Sequence, residues 1–303
     1  MKAFVRTAIV VATAALAVTG CSGNNADDPL ASESGEGGTI VVGSANFPEN
    51  VLLAEIYAQA LEGSGAEVTR QFNIGSREIY YDQVASGAIT VLPEYNGALL
   101  ARVDPESTAA TTEDVNAALA ESLPEGLSIL ASAPGENKDA LVVTEETADR
   151  YNLTTIADLA PVAGELALGG PPEFETRRQG VVGLRDVYGV EFQKFVPTDT
   201  GGPITIRALG DNTIQVANIF TTDPSLSTEP FVALEDPESV FGAQNVTPLV
   251  HREDLTDENV ATLDAVSENL TTDVLIELVG QVVTEGRDID VVAEEWLQDN
   301  GIN

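Results

Sequence analysis

The chain has 303 residues, long enough for one large domain or two lobes, and sets 14 Lys and Arg against 49 Asp and Glu for a formal charge of −35. So acidic a surface repels nucleic acid and anionic lipid, which argues against a nucleic-acid role. A single cysteine excludes an internal disulfide, and with a single histidine there is no Cys/His cluster for zinc; no phosphate loop or dinucleotide fingerprint occurs either.

Residues 1–20 read as a secretory signal: Lys2 and Arg6 are its basic start and residues 8–18 its apolar run. The run is shorter than the roughly 20 apolar residues that span a bilayer. It closes in Val18-Thr19-Gly20-Cys21, which resembles a bacterial lipobox, so Cys21 is expected to carry the lipid. Residues 21–38 are rich in Ser, Gly, Asn, Asp and Glu and are expected to be a flexible tether.

After the tether, residues 39–42 form a β-branched run that predicts the first strand. A loop through Asn46, Phe47 and Pro48 leads into a helix over 51–61 with Leu52, Leu53, Ile56, Tyr57 and Ala60 on one face. Residues 66–72 alternate as a second strand. In the stretch that follows, Ser76 is placed to cap a helix, Glu78 suits its first turn and Gly87 its end. A buried strand is expected over 89–92, stopped by Pro93, with Glu94 and Tyr95 at its carboxyl end. In open α/β sheets ligands bind at that end, so Arg77, Glu94 and Tyr95 are candidates for one cleft; the alternative is a plain turn with Tyr95 as a half-buried aromatic.

Further helices are predicted over 98–103 and 112–122 and strands over 127–131 and 140–143, where the chain crosses to a second lobe. There the expected strands are 165–168, 192–196 and 213–220, alternating with helices over 179–188 and 204–209. A strand over 231–234 is taken as the return crossing, followed by a last strand over 246–250 and three closing helices. The expected organisation is lobe 1 from 39–138 plus 231–303 and lobe 2 from 139–230.

The segment "GSREIYYDQVASGAITVLPEYNGALL" over 75–100 resembles a signature of substrate-binding proteins of glycine betaine, carnitine and choline ABC importers. Its parts are a Gly turn, a helix, a "G-x-I-D" turn and a "P-E-Y-x-G" motif, with Thr90 in place of the Asp and Asn96 in place of the usual Thr. Similarity extends over nearly all of 39–301 and is sharpest at 43–55, 75–99, 169–173 and 220–223. It implies a type II periplasmic-binding-protein-like α/β fold, with two lobes joined by two crossover strands and a ligand cleft between them. It also implies an ABC permease with a separate ATPase subunit as partner, no cofactor, and a lipid-anchored protein on the extracytoplasmic face of the membrane.

A quaternary ammonium group has no N–H to donate, so proteins hold it against aromatic faces, while a carboxylate tail calls for Arg, Lys or backbone N–H groups. The resemblance sorts the candidates. Tyr95 matches an aromatic-cage position; Phe220 stands where similar proteins carry Tyr in "Y-S-T-D", a motif that ends here in Asp223; Asp139 stands where they carry another Tyr. Arg77 could grip a carboxylate and Asp139 could face a cation. The ligand-binding set is therefore Asn46, Phe47, Arg77, Glu94, Tyr95, Asp139, Arg177, Phe220 and Asp223. The depleted cage leaves open another zwitterion, such as an amino acid or a trimethylated histidine derivative. His251, beside Arg252 and Glu253 with no nucleophile motif nearby, reads as a surface residue, and Trp296 as a packing residue. No catalytic or metal-ligating residue is assigned, although an acidic chain offers carboxylate pairs from which a secreted enzyme could be built.

Overall fold

The computed structural model describes residues 38–302. The secretory segment, Cys21 and all but the last residue of the tether expected over 21–38 lie outside the described residues. In chain order the first lobe holds β1 (Ile40–Gly43), α1 (Pro48–Gly63), β2 (Val68–Gln71), α2 (Arg77–Ala85), β3 (Val91–Tyr95), α3 (Asn96–Val103), α4 (Thr112–Ser122) and β4 (Leu127–Ile129). The second holds β5 (Asp139–Thr144), α5 (Glu145–Tyr151), β6 (Ala167–Gly170), α6 (Val181–Tyr188), β7 (Lys194–Pro197), α7 (Pro203–Gly210), β8 (Val216–Phe220), α8 (Ser225–Thr228) and β9 (Phe231–Ala233). The chain then returns as β10 (Val246–His251), α9 (Asp257–Asn269), α10 (Thr272–Val283) and α11 (Ile289–Asp299).

Each lobe is a five-stranded mixed sheet, ordered β2-β1-β3-β10-β4 in the first and β7-β6-β8-β5-β9 in the second. In both, three parallel strands meet an antiparallel pair. Helices cover the sheets because the apolar runs are buried on both faces. In the first lobe α1 packs against α9, α10 and α11, and Leu52, Ile56, Tyr57 and Leu61 share a core with Leu263, Leu278 and Trp296. Trp296 is thus a packing residue, as its place in the closing helix predicts.

Two boundaries differ from the sequence reading. Pro93 lies in the middle of β3 instead of ending it. It stands opposite Pro248 of β10, so neither ring nitrogen faces the other strand. On its outer side β1 has already ended, and the Pro93 carbonyl accepts a hydrogen bond from the Asn50 side chain at 2.8 Å. A proline is tolerated in a strand where no ladder N–H is required of it.

The second difference is the return crossing. Residues 231–233 pair with β5 at the edge of the second sheet, so they belong to that lobe's ladder. The chain returns just after, where Asn137 N–H donates to the Gln244 carbonyl at 3.0 Å and Val246 N–H to the Gly135 carbonyl at 3.1 Å. Outgoing and returning segments thus run antiparallel, side by side. The motif residues after Tyr95 fix the second of them: Asn96 Oδ1 accepts from Asn245 N–H at 2.9 Å, and Gln244 Oε1 from Ala98 N–H at 3.0 Å. Gly97 is required there, because a Cβ would stand 2.1 Å from the Ala243 carbonyl oxygen.

Candidate functional site

Strands β1, β3, β6 and β8 all point their carboxyl ends at the gap between the lobes. A cavity of about 630 Å³ opens there, lined from the first lobe by residues such as Asn46, Phe47, Arg77 and Tyr95 and from the second by Phe174 and Phe220. Asp139, at the amino end of the antiparallel strand β5, reaches it as well.

The aromatic wall is shared between lobes. The Phe47 ring, in the loop after β1, lies 6.1 Å from Tyr95 and 5.1 Å from Phe220, measured between centroids. Phe174 lines the cavity while packing at 6.3 Å on Phe241 in the second lobe's core. Cross-strand pairing sets Asp139 directly opposite Phe220, which puts a carboxylate beside the aromatic face.

Two buried carboxylates support the wall. Glu94 is fully buried in β3, where Arg77 closes a fork on it (Nε to Oε1, 2.7 Å; Nη2 to Oε2, 2.8 Å). The Tyr80 hydroxyl and the Tyr95 backbone N–H also donate to it, at 2.6 and 2.8 Å. Burial works against the Arg77 charge, and the Glu94 carboxylate outweighs it, so its pKa is raised. The second carboxylate is Glu49, in the first turn of α1. It accepts from the Tyr95 hydroxyl at 2.6 Å, Asn137 Nδ2 at 2.8 Å and the Thr222 hydroxyl at 2.5 Å. These donors come from the first lobe, the outgoing crossing and the second lobe. Burial pushes the Glu49 carboxyl above its ordinary range, and the three hydrogen bonds only partly oppose this.

A further contact between lobes is exposed. Arg177 makes a fork on Glu78 at 3.0 and 2.9 Å. Burial would raise the Glu78 carboxyl, but hydrogen bonds from Arg177 and Ser76 win and hold it at about 2. Ser76 stands at the amino-terminal cap position of α2, yet its hydroxyl does not cap the helix.

Of the residues singled out in the sequence, Asn46, Phe47, Arg77, Tyr95, Asp139, Arg177 and Phe220 are brought together around the cavity. Glu94 and Asp223 do not line it. Glu94 stands behind the wall as the partner of Arg77, so the carboxylate this arginine grips is the protein's own. Asp223 accepts from the Ser225 backbone N–H at 2.8 Å, at the start of α8. Glu49, Asn137 and Thr222 were missed. Each lies within or beside a motif quoted from the sequence, but nothing local indicates that three distant segments converge on one carboxylate. Lys138 pairs with Glu136 at 3.1 Å, and His251 is half-buried with Nδ1 2.8 Å from Asp254.

Residues 38–299 match the family described as the substrate-binding domain of ABC-type glycine betaine transport systems. The chain is 25% identical over 276 residues to the glycine betaine-binding protein YehZ of Escherichia coli K12, covering 86% of this chain and 90% of that one. It is 24% identical over 269 residues to the carnitine transport binding protein OpuCC of Listeria monocytogenes serotype 1/2a, covering 86% and 87%. A crystal structure titled as a glycine betaine/carnitine/choline ABC transporter has the same fold, with a TM-score of 0.67 at 22% identity over 87% of this chain and 99% of that one. The chain therefore belongs to the OpuAC family, the substrate-binding domains of ABC-type glycine betaine importers.

Proposed function

We propose that the cleft captures a small quaternary ammonium compatible solute of the glycine betaine, carnitine and choline class, and that the loaded protein delivers it to a permease driven by a separate ATPase. The observation that carries this reading is the wall of Phe47, Tyr95 and Phe220, three aromatic rings from both lobes around one cavity. Such faces attract a cation that has no N–H, by about 0.5–2 kcal/mol per contact. Relatives named for glycine betaine and for carnitine support the same class. In this reading the protein performs no chemistry on its ligand. Its place is the extracytoplasmic face of the membrane, with Cys21 as the lipid anchor. Among the described residues no helix is long and apolar enough to cross a membrane.

The test is a calorimetric titration with glycine betaine, carnitine, choline, amino acids and a trimethylated histidine derivative. Binding of one of the first three, lost in Tyr95→Ala, supports the proposal. Binding confined to an amino acid or to the histidine derivative would keep a solute receptor and change its ligand.

A further inference from the structure

The charges lining the cavity are unequally satisfied. Among its guanidinium groups, Arg77 is closed on Glu94 and Arg177 on Glu78, each through two hydrogen bonds. Arg102 and Arg178 also line it but are exposed, and Arg102 sits over the Tyr81 ring at 5.1 Å from the centroid. Asp139 is the opposite case. Asn218 Nδ2 donates to its Oδ1 at 2.8 Å, and no other described residue donates to Oδ2 or forms an ion pair with it. Burial pushes its carboxyl above the ordinary range, against the Asn218 hydrogen bond and the charges of Arg177 and Arg77, neither of which forms an ion pair with it. A second acceptor beside the cavity, the buried Asn137 Oδ1, has no partner among the described residues. Two acceptors beside the cavity, Asp139 Oδ2 and Asn137 Oδ1, are thus left without a donor among the described residues, while the buried arginine fork is already occupied.

A ligand carboxylate entering this space would lose its water, would find the Arg77 and Arg177 forks already occupied and only the exposed Arg102 and Arg178 left to meet it, and would also meet the Asp139 carboxylate. A monocation instead places its charge between that carboxylate and the aromatic faces of Phe220 and Phe47, where Coulomb and cation–π attraction act together. We infer that Asp139 sets the charge class of the ligand: the site favours a quaternary ammonium with one positive charge and no carboxylate, of the choline type, over zwitterions of the betaine type. The inference rests on the quaternary ammonium reading proposed above.

Titration calorimetry with choline and glycine betaine, on the wild type and on Asp139→Asn, tests it. The asparagine keeps the shape and a partner for Asn218 while removing the charge. The wild type is expected to bind choline at least about tenfold more tightly than glycine betaine. Removing one member of a desolvated charge pair should then weaken choline by about 30-fold in the variant, with glycine betaine changed far less. Equal or tighter wild-type binding of glycine betaine overturns the inference, as does an equal loss for both ligands in the variant. The wild-type comparison decides alone if the variant fails to fold, which its urea midpoint reports. If choline, carnitine and glycine betaine all fail to bind, the quaternary ammonium reading itself falls, a result distinct from a reversed preference.

Discussion

The strand ends that meet at the cleft come from equivalent places in the two sheets, β1 and β3 on one side and β6 and β8 on the other. Their chemistry differs. In the first lobe β3 ends in a buried network in which Arg77, Glu94, Tyr80 and the Tyr95 backbone are satisfied by one another. In the second lobe β8 ends in Phe220, with Thr222 just beyond it, and the carboxylate opposite Phe220, Asp139, is left half-satisfied. At the end of β3 the first lobe presents a buried charge pair that is satisfied internally. The other presents an aromatic ring and an open charge. A shared backbone plan therefore places residues at the cleft without deciding which of them remain free for a ligand.

The largest effect that would break this comparison is expected at the buried fork. Arg77→Met leaves Glu94 charged and fully buried with Tyr80 and a backbone N–H as donors, and should cost about 3–5 kcal/mol in urea unfolding. Adding Glu94→Gln in the same chain should recover a large part of that loss, since the unpaired charge is what destabilises. A small effect of Arg77→Met alone would mean that the first lobe's network does not depend on its internal charge pair.

Next in size is the aromatic ring contributed by the second lobe. Phe220→Ala removes a half-buried side chain in contact with Phe47, so ligand affinity should fall by about 0.5–2 kcal/mol, read by calorimetry. Its unfolding midpoint should move less than that of Arg77→Met. A reversed order would place the stability, and not the ligand face, at β8.

The Glu49 bridge gives a pH dependence. Its folded pKa lies above the ordinary carboxylate value, so the folded state holds its proton longer than the unfolded chain. The stabilisation from that proton is present at low pH and is lost as pH rises from the unfolded pKa through the folded one, with a slope of at most about 1.4 kcal/mol per pH unit. Glu49→Gln should remove this slope from a plot of unfolding free energy against pH. Asp139 and Asp223 also have raised values and will contribute slopes of the same sign, so the difference between wild type and variant is the quantity to read.

The smallest effect belongs to the exposed contact between lobes. Glu78 is held at about 2 beside Arg177, so its contribution is present above the unfolded carboxylate pKa and is lost as pH falls toward 2. The Glu78 side chain is 45% exposed, so Glu78→Gln should change stability by less than about 1 kcal/mol, and less again at high salt. In Arg177→Ala the Glu78 carboxyl should return toward its ordinary value in a carbon-detected NMR titration.

Much of the fold was legible because hydrophobic period and turn chemistry are local signals. Residues 39–42, 112–122 and 213–220 each lie within a residue or a few of the observed element. Pro93 misled because a proline reads as a stop until the neighbouring strand is known to have ended. Residues 231–233 misled because a short apolar strand does not say which sheet it joins. The two lobes share a sheet plan with no repeat visible in the sequence, since topology is conserved by packing and not by residue identity.

At the site, the sequence pointed to residues that line the cleft: Tyr95 from its place at a strand end, and Tyr95, Phe220 and Asp139 from the resemblance of their motifs to the family's. Which charges are spent was decided only by tertiary structure. Arg77 meets Glu94 seventeen positions away, and Glu49 meets Thr222 across 173 positions and two lobes. Hydrogen bonds act over about 3 Å, and sequence separation carries no record of that distance. The same arginine can therefore be a ligand's anchor or a neighbour's counter-ion, and only folding chooses between them.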